Sequence, residues 1–340
     1  MNLSPQGRQA LDQHFAQTAR AFDVTAHPPS VGNTYSATPS VAQTIVNKMI
    51  EEADPFLQLI NGMIPVSEIK GEKVGMLLTG RVASRTDTSS GERTPKRLAD
   101  TDANGYECRK TEFDVALSYA MIDMWAKFPD FAARYMQAVR KAEAVDLLTM
   151  GWRGTHVATE SDIVTYPDLE DMAIGWLQQM RVWDGGSQYL QGSAGSITLG
   201  GADFPNLDVL AHETKLLLPK KHRNRNDLVL LVGGDVMNAQ EGAYYETNGG
   251  TPTEKAMMSG RITKAYGNMP SISAPFFPDG SVAVTPLKNL SIYYQDSSLR
   301  RTQKDKPEKD EVQEFKSVNI DYIIEDKEMM SFVEGIEFPA

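Results

Sequence analysis

Residues 65–115 are the stretch that most constrains what this chain can fold into. Short strand-like pieces at 74–79 and 111–117 flank a middle part rich in Thr, Ser, Gly and Arg. This composition predicts two strands joined by a polar tip, and it offers little that could pack into a core. A connection of this length is unusual inside a compact domain. We therefore expect a long two-stranded arm that binds something outside its own subunit.

Helical and strand patterns fill the rest of the chain. The clearest predicted helix covers 128–150, with Pro129 in its first turn and Gly151 at its end. Its predicted apolar stripe consists of Phe128, Phe131, Tyr135, Val139, Ala142 and Val145. Further helices are predicted at 39–61, with a break at Asp54-Pro55, and at 168–181, 206–218, 234–245 and 252–259. Strands are predicted at 228–232, 282–284, 290–294, 317–326 and 332–338, and a solvated charged loop at 300–311.

The N-terminal segment combines a helix with a chain of turn-forming residues. Residues 8–22 place Leu11, Phe15, Ala19 and Phe22 at spacings of four and three, as one apolar stripe of a helix does. The run AHPPSVGNTYSATPS follows, and its Pro, Ser, Gly and Thr content predicts a flexible linker. Two interpretations stay open, a detachable module and an ordinary helix docked on the core.

Composition limits the classes of partner. The net charge is −11, from 34 Lys and Arg against 45 Asp and Glu, which disfavours general wrapping of nucleic acid. A local basic face remains compatible with that charge. The sharpest one is PKKHRNR at 219–225, where the chain carries Lys220, Lys221, Arg223 and Arg225. These cations could contact phosphate or an acidic neighbour, or form a solvated loop after a helix C-terminus.

A search for catalytic and cofactor motifs finds none. The glycines at 71–75 and 232–235 lack the spacing that surrounds a phosphate with backbone amides. The five histidines lack metal-ligand spacing, so we expect surface or capping roles for them. The single cysteine, Cys108, has no histidine near it in sequence. We predict no enzymatic activity, no cofactor and no metal, and the absence of a long apolar stretch predicts no membrane partner.

Several long stretches of the sequence resemble one family, the major capsid proteins of the peduovirus-type tailed bacteriophages. The resemblance covers most of the chain from residue 38 onward. It is carried by TPSVAQTIVNKM (38–49), IPVSEIKGEKVGMLLTGRVASRTDT (64–88), GYEC (105–108), IDMWAKFPDF (122–131), DLEDMAIGWLQQMR (168–181), LKNLSIYYQDSSLRR (287–301) and SVNIDYIIED (317–326).

The resemblance implies an α+β fold of the Hong Kong 97 capsid type. In that plan the arm at 66–115 is the extended E-loop hairpin, and the helix at 128–150 is the long spine helix. Residues 1–37 would be a propeptide or scaffold-like segment, and 38–65 the N-terminal arm. The implied peripheral domain covers 116–181 and 287–340, and the implied axial domain covers 182–286.

The resemblance also implies partners and a life cycle. The subunit would assemble with itself, through hexamers and pentamers, into the icosahedral shell that encloses phage double-stranded DNA. An internal scaffold and protease would remove the N-terminal segment near Tyr35–Ser36, and a portal protein would occupy one vertex. Assembly would take place in the host bacterial cytoplasm, with weak, non-specific DNA contact.

Two sets of cations are expected to act in assembly. In the arm, the expected intersubunit contacts are Arg81, Arg85, Arg93, Lys96 and Arg97. The cluster at 219–225 is expected at the inner surface or at a capsomer axis. Two other functions compete with the shell: a soluble α/β enzyme that uses 232–235 and 219–225 on phosphorylated substrates, and a tail or baseplate protein that forms tubes or rings.

Overall fold

A computed structural model describes most of the chain. The described residues are 4–21, 34–36, 39–52, 55–72, 76–78, 83, 85, 92, 99–101, 105–128, 130–192, 196–201, 203–248 and 265–338. The predicted helix at 252–259, Pro129 and most of the predicted linker lie outside these residues.

Helices account for much of the described chain. Prolines begin three of them, and the side chains of Ser118 and Asn206 cap two others by accepting a backbone N–H three residues on. The α-helices are α1 (Pro5–Ala21), α2 (Pro39–Glu52), α3 (Pro55–Leu59), α4 (Tyr119–Trp125), α5 (Phe131–Arg153), α6 (Trp176–Val182), α7 (Leu207–Leu217) and α8 (Gly234–Asn248). Short 3-10 turns lie at Trp183–Gly186, Leu287–Asn289, Pro307–Lys309 and Lys327–Met329.

The strands are mostly short, with one long exception, β17. In chain order they are β1 (Thr34–Ser36), β2 (Met63–Val66), β3 (Lys70–Glu72), β4 (Met76–Leu78), β5 (Ala99–Thr101), β6 (Gly105–Glu107), β7 (Arg109–Glu112), β8 (Val115–Ser118), β9 (Tyr189–Gln191), β10 (Ile197–Thr198), β11 (Leu228–Val232), β12 (Ala265–Tyr266), β13 (Met269–Ile272), β14 (Ser281–Pro286), β15 (Leu290–Gln295), β16 (Arg300–Lys306), β17 (Glu311–Ile324), β18 (Ser331–Glu334) and β19 (Ile336–Glu337).

Two sheets contain most of these strands, and the others form the two-stranded ladders β3-β6, β4-β5 and β10-β19. In the first, β17 pairs antiparallel with β16, β15, β7 and β8, while β2 pairs parallel with β15 and β1 antiparallel with β16. The second sheet has the order β12-β13-β11-β14-β18-β9 and mixes parallel and antiparallel pairs. Its middle strands β11 and β14 are mostly apolar and almost wholly buried, as strands covered on both faces are.

The main core lies between the first sheet and the C-terminal half of α5. Trp152 and Trp176 are fully buried there with ring centroids 4.7 Å apart, and Trp176 also meets Tyr322 edge-on at 5.2 Å. Gly151 makes this contact possible, because a Cβ at that position would lie 2.5 Å from the Trp176 ring. A second core lies between the second sheet and α7, with Leu207, Leu210 and Leu230 fully buried.

The buried face of the spine helix, α5, differs from the apolar stripe predicted for it. Its N-terminal half buries Phe131 as expected, but Val145 is exposed and Leu147 and Leu148 face the core instead. The inward face rotates because the first half packs beside α1, whereas the second half packs on α6. The helix also continues through Gly151 to Arg153, because that glycine serves close packing and does not terminate the helix.

Two predicted elements are wrong. The helix expected at 168–181 begins only at Trp176, because Leu169 has a φ of 59° and Asp168 turns back to pair with Arg153. The loop expected at 300–311 is β16 followed by a 3-10 turn. Burial alternates along the first part of this strand, where Arg301 and Gln303 are buried, and Arg301 pairs with Glu314 of β17.

Among the described residues, none of the helices combines the length and the apolar character that crossing a bilayer requires.

Candidate functional site

The arm is built from two small antiparallel ladders. In the first, β3 pairs with β6 in the register Lys70↔Glu107 to Glu72↔Gly105. In the second, β4 pairs with β5, from Met76↔Thr101 to Leu78↔Ala99. Both ladders have only two strands, which are at best marginally stable on their own in water. The backbone therefore has the form predicted for an arm that needs a partner surface.

The root of the arm is tied firmly to the first sheet. Tyr106 meets Tyr293 edge-on at 5.4 Å, and Cys108 lies buried beside it. Burial raises the pKa of the Cys108 thiol to about 12, so the thiol stays protonated near neutral pH. The Asp321 carboxylate accepts the Glu107 N–H at 2.9 Å, and burial raises its pKa to about 6. A fixed root lets the arm project from the body in a defined direction.

The described residues include one of the five arm cations that are expected to contact a neighbouring subunit. Arg85 is exposed, as a cation that meets a neighbouring subunit should be before assembly. The other expected contact residues lie outside the described residues; they are Arg81, Arg93, Lys96 and Arg97.

The N-terminal helix α1 is docked on its own subunit, which is the second of the two interpretations that the sequence leaves open. Leu11 and Phe15 of α1 are buried against α4, the start of α5 and β17. The side chain of Ser4 also binds Asp123 at 2.6 Å. The partners in this apolar cluster are Leu117, Tyr119, Ile122, Phe131 and Val312.

A buried polar cluster lies under α1. His14 Nε2 lies 3.5 Å from Glu314 Oε2, and Arg301 pairs with the other oxygen of the same carboxylate. Gln303 Nε2 donates to Glu314 at 3.2 Å. The sequence predicts a loop at 300–311 and surface or capping roles for the histidines, so it does not indicate this cluster. All seven residues of RRTQKDK are polar, and the run therefore has no apolar alternation that could reveal a strand.

This cluster predicts a specific pH dependence. Burial alone would raise the pKa of Glu314, but the hydrogen bond to His14 and the charge of Arg301 lower it from 4.5 to about 2. A lowered folded-state pKa contributes stability above the unfolded value, and that stability is lost as pH falls from 4.5 to about 2. At neutral pH we expect Glu314→Gln to cost about 3 kcal/mol of unfolding free energy.

Denaturant unfolding between pH 2 and pH 7 measures this effect. The difference between the unmodified chain and Glu314→Gln should shrink as pH falls below about 4.5. Exposed Glu160 provides the matched control, since Glu160→Gln should change the unfolding free energy by less than about 0.5 kcal/mol. A difference for Glu314→Gln that stays constant across this range would contradict the account.

The predicted cleavage junction lies in a strand. Tyr35 and Ser36 belong to β1, which pairs with Arg301 and Arg300 of β16 at the edge of the first sheet. A protease needs an extended and accessible chain. Within the described part of the chain β1 pairs with β16 alone, and a protease that encloses the strand would first have to detach it from β16.

The basic cluster at 219–225 is largely engaged within the subunit. Arg223 Nε donates to the Leu218 carbonyl at the end of α7, and Arg225 pairs with Asp227. Lys221 pairs with Glu328, while Lys220 is exposed. These contacts correspond to the interpretation of a loop after a helix C-terminus. His222 of the same loop lies beside Asp326 and Glu328, which sequence spacing could not reveal.

One exposed apolar face stands out on α4. Met121, Met124, Trp125 and the following Phe128 are between 40% and 65% exposed. A group of large exposed apolar side chains is typical of a surface that binds protein. Sequence reasoning did not single out this face.

The chain is similar to proteins of known role. The family described as phage major capsid protein, P2 family, matches residues 10–336. A capsid protein of Escherichia phage P2 is 36% identical over 323 residues, covering 90% of this chain and 88% of that protein. The major capsid protein of Serratia phage KSP20 is 29% identical over 345 residues and covers 97% of each chain.

Solved structures that resemble this chain also come from phage capsids. A chain from the procapsid of satellite phage P4, a structure that includes the size determination protein Sid, has a TM-score of 0.71 at 35% identity. That match covers 87% of this chain and 99% of the other. A chain of the cyanophage A-1(L) capsid reaches 0.50 at 16% identity, covering 83% of this chain and 92% of the other, and supports the fold alone.

The α+β capsid fold of the Hong Kong 97 type is therefore confirmed, and so is the resemblance found in the sequence. With a family match over nearly the whole chain and a relative above 30% identity, this chain belongs to the P2 family of phage major capsid proteins.

Proposed function

We propose that this capsid subunit builds an icosahedral shell, through hexamers and pentamers, by laying its arm over a neighbouring subunit. The observation that carries this is the pair of two-stranded ladders that projects from a firmly packed root. Single exposed ion pairs are worth about 0–1 kcal/mol. Contacts that weak, repeated around rings that close, allow wrong contacts to dissociate before the shell is complete.

The two sheets suggest the domain plan of the subunit. We assign the first sheet with α5 to the peripheral domain and the second sheet with α7 and α8 to the axial domain. The strand β18, which follows the predicted axial segment 182–286, pairs with β14 inside the second sheet. The predicted boundary at residue 286 therefore does not separate the two domains completely, because β18 comes from the C-terminal segment 287–340 and belongs to the axial sheet.

The N-terminal segment is the proposed substrate of maturation. Removal of residues 1–37 near Tyr35–Ser36, by a phage protease acting with an internal scaffold, would take away α1 together with most of β1. The scaffold is suggested by the P4 procapsid relative, which was solved with a size determination protein. Loss of α1 would uncover the apolar side chains of Leu117 and Phe131, and would remove His14 from Glu314.

Other roles follow from the same assignment. A portal protein at one vertex and packaged double-stranded DNA are the proposed further partners, and the host bacterial cytoplasm is the proposed place of assembly. The net charge of −11 favours weak contact with DNA. Lys220 is the cation of the basic cluster best placed for such contact, since it is exposed and the other three bind groups of their own subunit. We propose no catalytic role for the chain.

Electron microscopy combined with intact mass tests assembly and maturation together. The full chain, co-expressed with its scaffold and protease, should give closed shells whose subunit has lost the mass of the segment up to Tyr35–Ser36. Ser36→Pro should keep the full mass because few proteases cut before proline, while Ser30→Pro serves as the control. Shells at full mass without any substitution would contradict the cleavage, and only small uniform particles would contradict assembly.

A further inference from the structure

A polar cluster forms where the basic loop at 219–225 meets the turn before β18. His222 Nε2 lies 3.5 Å from Glu328 Oε2 and 4.0 Å from Asp326 Oδ2. One ligand atom from each of these three side chains lies within 4.8 Å of the others. We propose that this cluster binds a divalent transition-metal ion of the zinc type. The ion would join the loop after α7 to the 3-10 turn Lys327–Met329 that precedes β18.

One atom of the cluster lacks the partner that burial normally requires. His222 Nε2 is buried and makes no hydrogen bond within the described part of the chain, whereas Glu328 Oε2 is paired with the Lys221 ammonium. Buried polar atoms are nearly always hydrogen-bonded, so an unsatisfied imidazole nitrogen calls for an explanation. Bonds of about 2.1 Å at a tetrahedral zinc ion separate its ligand atoms by about 3.4 Å. The spacing of 3.5 Å between these atoms is close to that geometry.

The turn that carries both carboxylates is held in place before any ion arrives. Asn289 Oδ1 accepts the Asp326 N–H at 2.8 Å, and Asn289 Nδ2 donates to the Asp326 carbonyl at 2.9 Å. Gln188 Nε2 donates to the Glu328 carbonyl at 3.1 Å. Asp326 Oδ1 accepts the Glu328 N–H, which leaves Oδ2 turned toward the imidazole. Ligands positioned in this way by outer contacts favour metal binding.

The donor set selects the class of ion. An imidazole nitrogen with two carboxylate oxygens suits zinc, cobalt, nickel and manganese, whereas magnesium and calcium prefer oxygen ligands alone. Three protein ligands leave one coordination position for water. The loop and the turn belong to segments that are more than 100 residues apart in sequence. The bound ion would therefore act as a crosslink within the subunit.

Nearby cations compete with the proposed ion. Lys221 pairs with Glu328, and Arg225 acts electrostatically on Asp326 while it binds Asp227. One divalent ion balances the two carboxylates, so it must displace the Lys221 ammonium from Glu328. Removing that positive charge should therefore strengthen metal binding. A protonated His222 paired with both carboxylates is the competing account of the same geometry.

Equilibrium binding of Zn²⁺ and Co²⁺ to the chelator-stripped full chain tests the proposal. We expect one saturable site per chain and a visible Co²⁺ absorption band. His222→Gln should weaken binding at least about tenfold, since even outer contacts of metal ligands are worth that much. Lys221→Met should tighten binding, and His212→Gln, at an exposed histidine of α7, should leave it unchanged. Metal should also raise the unfolding temperature of the unmodified chain but not of His222→Gln.

Three results would overturn the proposal. The first is equal binding by the unmodified chain and His222→Gln. The second is a stabilisation that grows as pH falls and is insensitive to metal, which would assign the cluster to a protonated imidazole, because metal ligands must be deprotonated. The third covers the case in which His222→Gln does not fold: absence of a Co²⁺ band in both the unmodified chain and Lys221→Met would exclude the site.

Discussion

Replacing residues 73–104 by an Asn-Gly turn is expected to leave a folded subunit that forms no closed shells. The register pairs Glu72 with Gly105 as the last residues of the inner ladder, so a two-residue hairpin connection can join them without strain. The root cluster around Cys108 and Tyr293 stays intact. The shortened chain should therefore keep the unfolding transition of the full chain.

Assembly should fail because the arm supplies contacts that the body does not replace. A loss of about 1.4 kcal/mol at one interface weakens pairwise association about tenfold, and a closed shell needs every such interface. Sedimentation and electron microscopy after co-expression with scaffold measure the yield of shells. Arg85→Ala is the matched control within the arm, and it should still form shells because one exposed pair contributes little. Normal shells from the shortened chain would contradict the proposed role of the arm.

The second large effect concerns the core that holds the spine helix on the first sheet. Trp176→Ala is expected to cost about 3–5 kcal/mol of unfolding free energy. The Trp176 ring is fully buried between Trp152 and Tyr322, and its Nε1 donates to the Ser291 carbonyl at 3.2 Å. Truncation would leave a cavity among these rings and remove this hydrogen bond.

A second tryptophan provides the control for this effect. Trp125 of α4 is 40% exposed, so Trp125→Ala should change the unfolding free energy by less than about 1 kcal/mol. Denaturant unfolding of both variants, followed by far-ultraviolet circular dichroism, measures the difference. Equal losses from the two substitutions would show that the core is not centred on Trp176.

Much of the architecture could be predicted from local pattern. The spine helix, the paired helices α2 and α3 with their break at Asp54-Pro55, and the buried strand β11 all follow from periodicity and from proline placement. The arm could be predicted because the long polar stretch between its strand-like pieces has too few apolar residues to form a core of its own. The fold family followed from long matching stretches, which are far more specific than any short motif.

The rest depends on contacts between residues that are distant in sequence. Arg301 is buried because it pairs with Glu314, which also meets His14, and a wholly polar run gives no sign of such partners. The predicted helix at 168–181 failed because a tight turn at Leu169 and the salt bridge between Asp168 and Arg153 override helical periodicity. His222 meets Asp326 and Glu328 only in the folded chain, so no spacing rule could identify the cluster.

High-resolution electron microscopy of assembled shells tests the central claim most directly, because it shows where the arm of each subunit lies. The account predicts closed icosahedral shells in which residues 76–101 of one subunit cross the body of a neighbour, with the root at Cys108 packed on its own first sheet. Shells in which the arm folds back on its own subunit, or tubes and small uniform particles in place of shells, would contradict it.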